Sequence, residues 1–63
     1  MEKDISNLLK DFEKTTNKTL YKLAKELDIP VNTLYRYRNK NVSPGKLTED
    51  FLRRYLKENY DID

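Results

Sequence analysis

The fold of this chain is decided by residues 19–39, which read TLYKLAKELDIPVNTLYRYRN. Apolar side chains recur there at helical spacing in two runs: Leu20, Leu23, Ala24 and Leu27, then Leu34 and Tyr37. Asp28, Ile29 and Pro30 break the pattern between the two runs. Ala24 is small and lies midway along the first run, where a crossing helix needs to approach closely. The stretch therefore predicts two short helices folded sharply against each other, a helix-turn-helix.

The same residues carry a resemblance to a known family. The chain resembles the Cro/C1-type helix-turn-helix family, the small lambda-repressor-like phage repressors and their bacterial relatives, at Leu23, Ala24, Leu27, Ile29, Leu34 and Tyr37. The close match covers about a third of the chain. In that family the second helix of the pair enters the DNA major groove, while the first helix crosses the phosphate backbone. The family most often carries Gly at the position of Asp28, because the residue there tends to need a positive φ, which Asp tolerates better than most residues.

Length and composition favour one small, all-helical domain. A chain of 63 residues buries only about 60% of the surface that its unfolded form exposes, so its core must be small. The alternation that strands need is absent. We therefore predict an all-α compact bundle of about four helices, a single domain over residues 1–63, in which helices 2 and 3 form the helix-turn-helix.

The same composition argues against an enzyme. The sequence has no His, no Cys and one Gly, so it offers neither a zinc site nor a Gly-rich phosphate loop, and no carboxylate set flanks a pocket-forming pattern. No cofactor or metal is expected. Its longest apolar runs have about two or three residues, which predicts no membrane span or signal peptide and a cytoplasmic protein.

Charge is distributed unevenly along the chain. Residues 14–46 contain eight Lys or Arg and two acidic residues, a local net charge of +6, whereas each flank carries −2. A basic segment of this kind predicts an anionic partner. A lysine-rich face that is only solvated is the alternative, and the helix-turn-helix shifts the balance toward double-stranded DNA.

The first helix is predicted to begin after an Asp4 N-cap and to run to about Thr16, with Asn17 as a left-handed stop. Its core stripe consists of Ile5, Leu8, Leu9 and Phe12. Residues 1–3 are expected to fray, and Glu2 and Asp4 lie where the helix dipole favours negative charge.

The second helix is predicted to start after a Thr19 cap. Because a helix N-terminus presents free N–H groups, this start is a candidate phosphate clamp, although solvated lysines are an equal alternative. Polar side chains at this start and in the loop after the third helix form the predicted phosphate-contacting set: Lys18, Thr19, Lys22, Asn39, Lys40 and Asn41.

The third helix is predicted to start near Val31, with Pro30 near its first turn. Leu34 and Tyr37 share its core side. Its other side is predicted to be exposed and carries Asn32, Tyr35, Arg36 and Asn39. Asn can pair bidentately with adenine and Arg with guanine, while Val31 and the Thr33 methyl group can touch a thymine methyl. The family resemblance implies base contacts from Val31, Asn32 and Arg36. The predicted base-contacting set is Val31, Asn32, Thr33, Tyr35 and Arg36.

The last helix is predicted from about Pro44 to Asn59 with a Ser43 cap, Thr48 being an alternative cap. It carries two apolar stripes about 140° apart: Leu47, Phe51 and Tyr55 on one side, Leu52, Leu56 and Tyr60 on the other. We assign the first stripe, to which Ile62 would add, to the monomer core and the second to a homodimer interface, with the reverse assignment open. Residues 61–63 are expected to be loose.

Two functions of different class follow. The first is a sequence-specific transcriptional regulator, a repressor or Cro-like protein, that binds a double-stranded DNA operator as a homodimer with half-sites about 34 Å apart. The second is a protein-interaction module that keeps the helix-turn-helix fold but binds another protein, in the manner of an anti-repressor or antitoxin. The predicted exposed pair Asn32 and Arg36, together with the basic middle, favours DNA.

Overall fold

Residues 4–62 form an all-α bundle of four helices. A computed structural model describes residues 4–62, so the predictions for residues 1–3 and Asp63 lie outside the described part. The helices are α1 Ile5–Thr16, α2 Leu20–Leu27, α3 Val31–Arg38 and α4 Lys46–Tyr60. Within residues 4–62 no strand is present, and no helix is long and apolar enough to cross a membrane. The predicted fold class is confirmed.

The ends of α1 and α2 follow the predicted local chemistry. The Asp4 carboxylate accepts a hydrogen bond from the Asn7 N–H at 2.9 Å, and Asn17 ends α1 with φ 60°. Thr19 caps α2 by accepting from the Lys22 N–H at 3.3 Å. Asp28 follows α2 with φ 58°, a left-handed conformation that Asp tolerates better than most residues. The sharp turn is therefore made without glycine.

The connection between α2 and α3 is three residues long and keeps the two helices in contact. The Ile29 N–H donates to the Ala24 carbonyl at 3.0 Å, which closes the end of α2 with the six-to-one bond of a Schellman motif. Pro30 is the N-cap of α3, and α3 begins at Val31 as predicted. Ala24 is buried, which is consistent with a close approach of the paired helices.

The start of α4 was predicted two residues too early. Gly45, with extended φ −66° and ψ 165°, is its N-cap, and no side chain caps this end. Neither Ser43 nor Thr48 has that role. The physical reason lies in Gly45, because glycine is a poor residue within a helical turn but is favoured at the N-cap.

Apolar residues of all four helices and of the C-terminal end build one core. Its buried members are Ile5, Leu8, Leu9, Phe12, Leu20, Leu23, Ala24, Leu34, Leu52, Leu56 and Ile62. Helix α1 packs against both α3 and α4, and α2 packs against α3. The stripe predicted on α1 is fully buried, so α1 is the element around which the helix-turn-helix and α4 assemble.

The two stripes of α4 have the opposite roles from those predicted. Leu52 and Leu56 are buried in the monomer core, whereas Leu47 is 87% and Phe51 52% exposed. Tyr60 is half-buried, with its ring edge-on to Phe12 at 5.0 Å between centroids. The predicted dimer interface of Leu52, Leu56 and Tyr60 is therefore wrong, because these side chains are already used within one copy.

The end of α4 explains this choice of side. Asp61 takes φ 57°, and the Ile62 N–H donates to the Leu56 carbonyl at 3.1 Å. This turn returns Ile62 into the core, where it is 5% exposed. Ile62 was expected to join the Leu47 side, and residues 61–63 were expected to be loose. Both expectations are wrong for Asp61 and Ile62, because the buried Ile62 side chain adds to the Leu56 side of α4 and fixes that side in the core.

Candidate nucleic-acid interface

Helix α3 presents an amide and a guanidinium on its outward side. Asn32 and Arg36 are exposed one turn apart, while Leu34 between them is completely buried. Within residues 4–62 the structure shows no ion pair for Arg36. The buried Leu34 fixes the rotation of the helix, so the two polar side chains are held pointing away from the core.

The other predicted base-contacting residues are less exposed. Val31, Thr33 and Tyr35 are half-buried, and Val31 and Tyr35 pack against the core. Tyr35 was expected on the exposed side. The Arg38 guanidinium lies 5.1 Å from the centroid of its ring, a cation–π contact that covers part of it. These three residues lie next to the Asn32–Arg36 pair in sequence, and their side chains are less accessible than those of the pair.

Arg38 is directed away from the outward side of α3. Its Nη1 donates to both carboxylate oxygens of Glu13, at 3.1 and 2.9 Å, and both side chains are half-buried. The Ser6 hydroxyl donates to the Arg38 carbonyl at 2.5 Å. Both partners belong to α1, so the last turn of α3 is fastened to α1 by its side chain and by its backbone.

The predicted phosphate clamp at the start of α2 is partly occupied. The Thr19 hydroxyl accepts a hydrogen bond from the Lys22 N–H, while the Lys22 side chain is exposed. The Lys18 ammonium lies 3.9 Å from a Glu26 carboxylate oxygen and 5.0 Å from the centroid of the Tyr60 ring. Lys18 was predicted to bind phosphate and Tyr60 to form an interface, and the structure instead brings both into one cluster with Glu26.

The loop after α3 is exposed and closes the end of that helix. Lys40 takes φ 63°, and the Asn41 N–H donates to the Arg36 carbonyl at 2.9 Å. Asn39 accepts from the Arg38 Nε at 3.4 Å. The Lys40 ammonium lies 3.5 Å from an Asp4 carboxylate oxygen. The backbone N–H of Asn7, and to a smaller degree the Lys40 ammonium, lower the pKa of Asp4.

Acidic residues from the flanks neutralise part of the basic middle. Of its eight cations, four form ion pairs within residues 4–62: Lys18, Arg38, Lys40 and Lys46. Three of their partners, Glu13, Asp4 and Asp50, lie outside residues 14–46. The cations without an ion pair in the described chain are Lys14, Lys22, Lys25 and Arg36. The surface is therefore less basic than the linear segment indicates.

A carboxylate between two tyrosines fastens α2 to α4. The Tyr60 hydroxyl donates to both Glu26 oxygens at 2.6 and 2.8 Å, and the Tyr55 hydroxyl donates to one of them at 2.7 Å. These hydrogen bonds, first from Tyr60 and then from Tyr55, lower the pKa of Glu26. The same carboxylate raises the pKa of Tyr60 to about 12.

This cluster was not predicted. Glu26 and Tyr60 are 34 residues apart, and no local pattern connects them. Its position gives it a part in the candidate site, because it holds the first helix of the helix-turn-helix against α4.

Comparison of the chain with models of known protein families, with curated proteins and with solved structures found no match.

Proposed function

We propose that this chain is a sequence-specific double-stranded DNA-binding protein of the cytoplasm that regulates transcription by occupying an operator, as a small repressor or Cro-like protein does. The observation that carries the proposal is the Asn32–Arg36 pair, exposed one turn apart on the outward side of α3. An amide reads adenine and a guanidinium reads guanine in the major groove, each through two hydrogen bonds. Helix α3 is the reading helix and α2 crosses the backbone.

Phosphate contacts supply the affinity. Lys22 is exposed without an ion pair in the described chain and lies in the first turn of α2, whose N-terminal N–H groups favour anions. Lys18 and Lys40 join it by exchanging their exposed carboxylate partners for phosphate. Exposed ion pairs contribute only about 0–1 kcal/mol, so this exchange meets little resistance. Two copies reading two half-sites, about 34 Å apart on a palindromic operator, provide the contacts that a specific site needs.

A gel-shift with the DNA that flanks its own gene tests the proposal directly. Affinity is expected to fall with salt, with a slope of roughly −0.9 in log K against log salt per phosphate contact. Lys22→Ala should flatten the slope by about one contact and weaken all sequences alike. Lys14→Ala is the matched control, since it removes the same charge from an exposed position outside the predicted set. No DNA binding at low salt would overturn the proposal.

Arg36 tests the reading of sequence. Arg36→Ala should lower discrimination at one base pair per half-site by about 1–3 kcal/mol, as should Asn32→Ala at another. Arg36→Lys keeps the charge but loses the planar fork, so it should keep most of the non-specific affinity while losing the guanine preference. Full operator discrimination in Arg36→Ala would contradict the assigned reading helix.

A second function is favoured by a different observation. The exposed Leu47 and Phe51 side chains form an apolar pair on a small surface, which suits a protein-interaction module in place of DNA binding. Absence of DNA binding together with a stable complex with another protein through this pair would select that function.

A further inference from the structure

The outward side of α4 is unused within one copy. At 3.6 residues per turn, Leu47 and Phe51 lie opposite the buried Leu52 and Leu56. The Phe51 ring lies beside the Tyr55 ring, with 6.1 Å between the ring centroids. An apolar pair held in place on the surface is a candidate contact site.

Four charged side chains of alternating sign run obliquely around α4, because each step of four residues turns about 40° around the helix. They follow one another at intervals of four residues: Lys46, Asp50, Arg54 and Glu58. Asp50 and Arg54 flank the Leu47–Phe51 pair, while Lys46 lies about 100° from Leu47. All four are exposed. Lys46 and Asp50 approach within 3.8 Å, as neighbours at this interval do. We call these four residues the charge ladder.

The charge ladder is complementary to itself when it is reversed. A second α4 laid antiparallel about a two-fold axis at the level of residue 52 places its Arg54 beside Asp50 and its Asp50 beside Arg54, since both residues lie on one flank of the Leu47–Phe51 pair. Two opposite-charge contacts then form, one on each side of the axis. In a parallel arrangement each residue is level with its own copy, so these opposite charges are not matched. Isologous pairing requires a surface of this self-complementary kind, so the charge pattern selects a second copy of this chain as the partner.

We propose that two copies associate through antiparallel pairing of their α4 helices, with the Phe51 rings meeting near the two-fold axis and the charge ladders pairing along it. Phe51 is one residue from the axis position, so the two Phe51 positions are offset by only about 3 Å along the helices. Leu47 extends the apolar contact by one turn. This surface replaces the Leu52 side, which the monomer core occupies.

The pairing is expected to be weak because the interface is small. Helix α4 has 15 residues and is therefore about 22 Å long at about 1.5 Å per residue. One helix face of this length provides less than the ~800 Å² per partner of a standard stable interface. The dimer is concentration-dependent and needs no DNA, so the inference stands independently of the proposed function.

Sedimentation of the full chain without DNA, over about 10 μM to about 1 mM, tests the pairing. The average mass should rise from monomer toward dimer. Arg54→Glu and Asp50→Arg each place like charges together twice across the axis, and each should weaken association about tenfold or more. Combining both substitutions restores the opposite pairs, and association should return to within about threefold of the parent. Lys10→Glu, the same charge reversal at an exposed position on α1, should leave association unchanged.

Far-UV circular dichroism of each variant confirms that the exposed substitutions keep the fold. A parent that stays monomeric throughout the range would overturn the proposal. Single variants that associate as well as the parent would also overturn it, as would a double variant that associates as weakly as the single variants. Either result would show that the charge ladder does not lie in the interface. A stable complex of the Leu47–Phe51 surface with a different protein, without self-association, would also overturn it.

Discussion

The opposite roles of the two sides of α4 lead to a paired test with one chemical change. Leu52→Ala and Leu47→Ala delete the same three carbon groups from the same helix, at positions that are 1% and 87% exposed. Burial of each CH₂-sized group contributes about 0.8 kcal/mol. The transfer loss at Leu52 is therefore about 2.4 kcal/mol, and the remaining cavity raises it to about 3–5 kcal/mol. At Leu47 the change should stay within about 0.5 kcal/mol.

Such a loss is large for this chain. A domain of 63 residues has a free energy of unfolding of about 3–9 kcal/mol at the usual stability per residue. Urea unfolding followed by circular dichroism, at micromolar protein concentrations where the monomer dominates, measures the difference. With a slope of about 1 kcal/mol per molar urea, Leu52→Ala should lower the midpoint by about 3 M or leave the chain unfolded.

The reversed order of the two variants would refute the reasoning. If Leu47→Ala destabilised the chain more than Leu52→Ala, the Leu47 side would be the core side, and the proposed pairing surface would be lost with it. Equal and small effects would show that neither side of α4 contributes to the core.

Three further predictions concern pH, the turn and a cap. The lowered pKa of Glu26 gives stability above its unfolded value of 4.5 that is lost as pH falls through the lower folded pKa. The raised pKa of Tyr60 gives stability below 10.0 that is lost as pH rises through about 12. Glu26→Gln should therefore reduce the loss of unfolding free energy at both the acidic and the alkaline end, as measured by urea unfolding at a series of pH values. An unchanged pH dependence would contradict the role of the cluster. Asp28→Val should lower the free energy of unfolding by about 1–2 kcal/mol because a β-branched residue resists positive φ, whereas Asp28→Gly should retain it; equal thermal midpoints would argue against the left-handed turn. Thr19→Ala should lose about 1 kcal/mol in the same assay through the missing cap, and no loss would mean that the Lys22 N–H finds another acceptor.

Local chemistry explains what could be predicted from the sequence. Asp4, Thr19, Asn17 and Asp28 act within a few residues of their own positions, and their caps and left-handed angles are all confirmed. The exposure of the candidate base-contacting residues of α3 is also decided by neighbours a few residues away. Leu34 fixes the helix rotation, so the exposure of Asn32 and Arg36 could be predicted from their spacing to it.

Helix α4 shows where local patterns stop being sufficient. Its two stripes have similar apolar content, and nothing within the helix says which one meets α1. The choice depends on the turn at Asp61, which adds Ile62 to the Leu56 side. That turn lies beyond the helix and takes effect only when the rest of the core is assembled.

Long-range ion pairs limited the prediction of the site in the same way. The net charge of residues 14–46 is a property of the linear chain, but the field that a DNA phosphate meets depends on which acids fold beside those cations. Glu13 reaches Arg38 and Asp4 reaches Lys40 from α1 and its cap, and no local pattern indicates either contact. The half-buried, two-oxygen contact of Glu13 holds Arg38 firmly, whereas the exposed Asp4 contact leaves Lys40 able to exchange partners. In the DNA-binding function that we propose, Lys22 and Arg36, which have no ion pair within residues 4–62, are therefore the residues assigned to phosphate contact and base contact. Arg38 is assigned the role of holding α3 against α1.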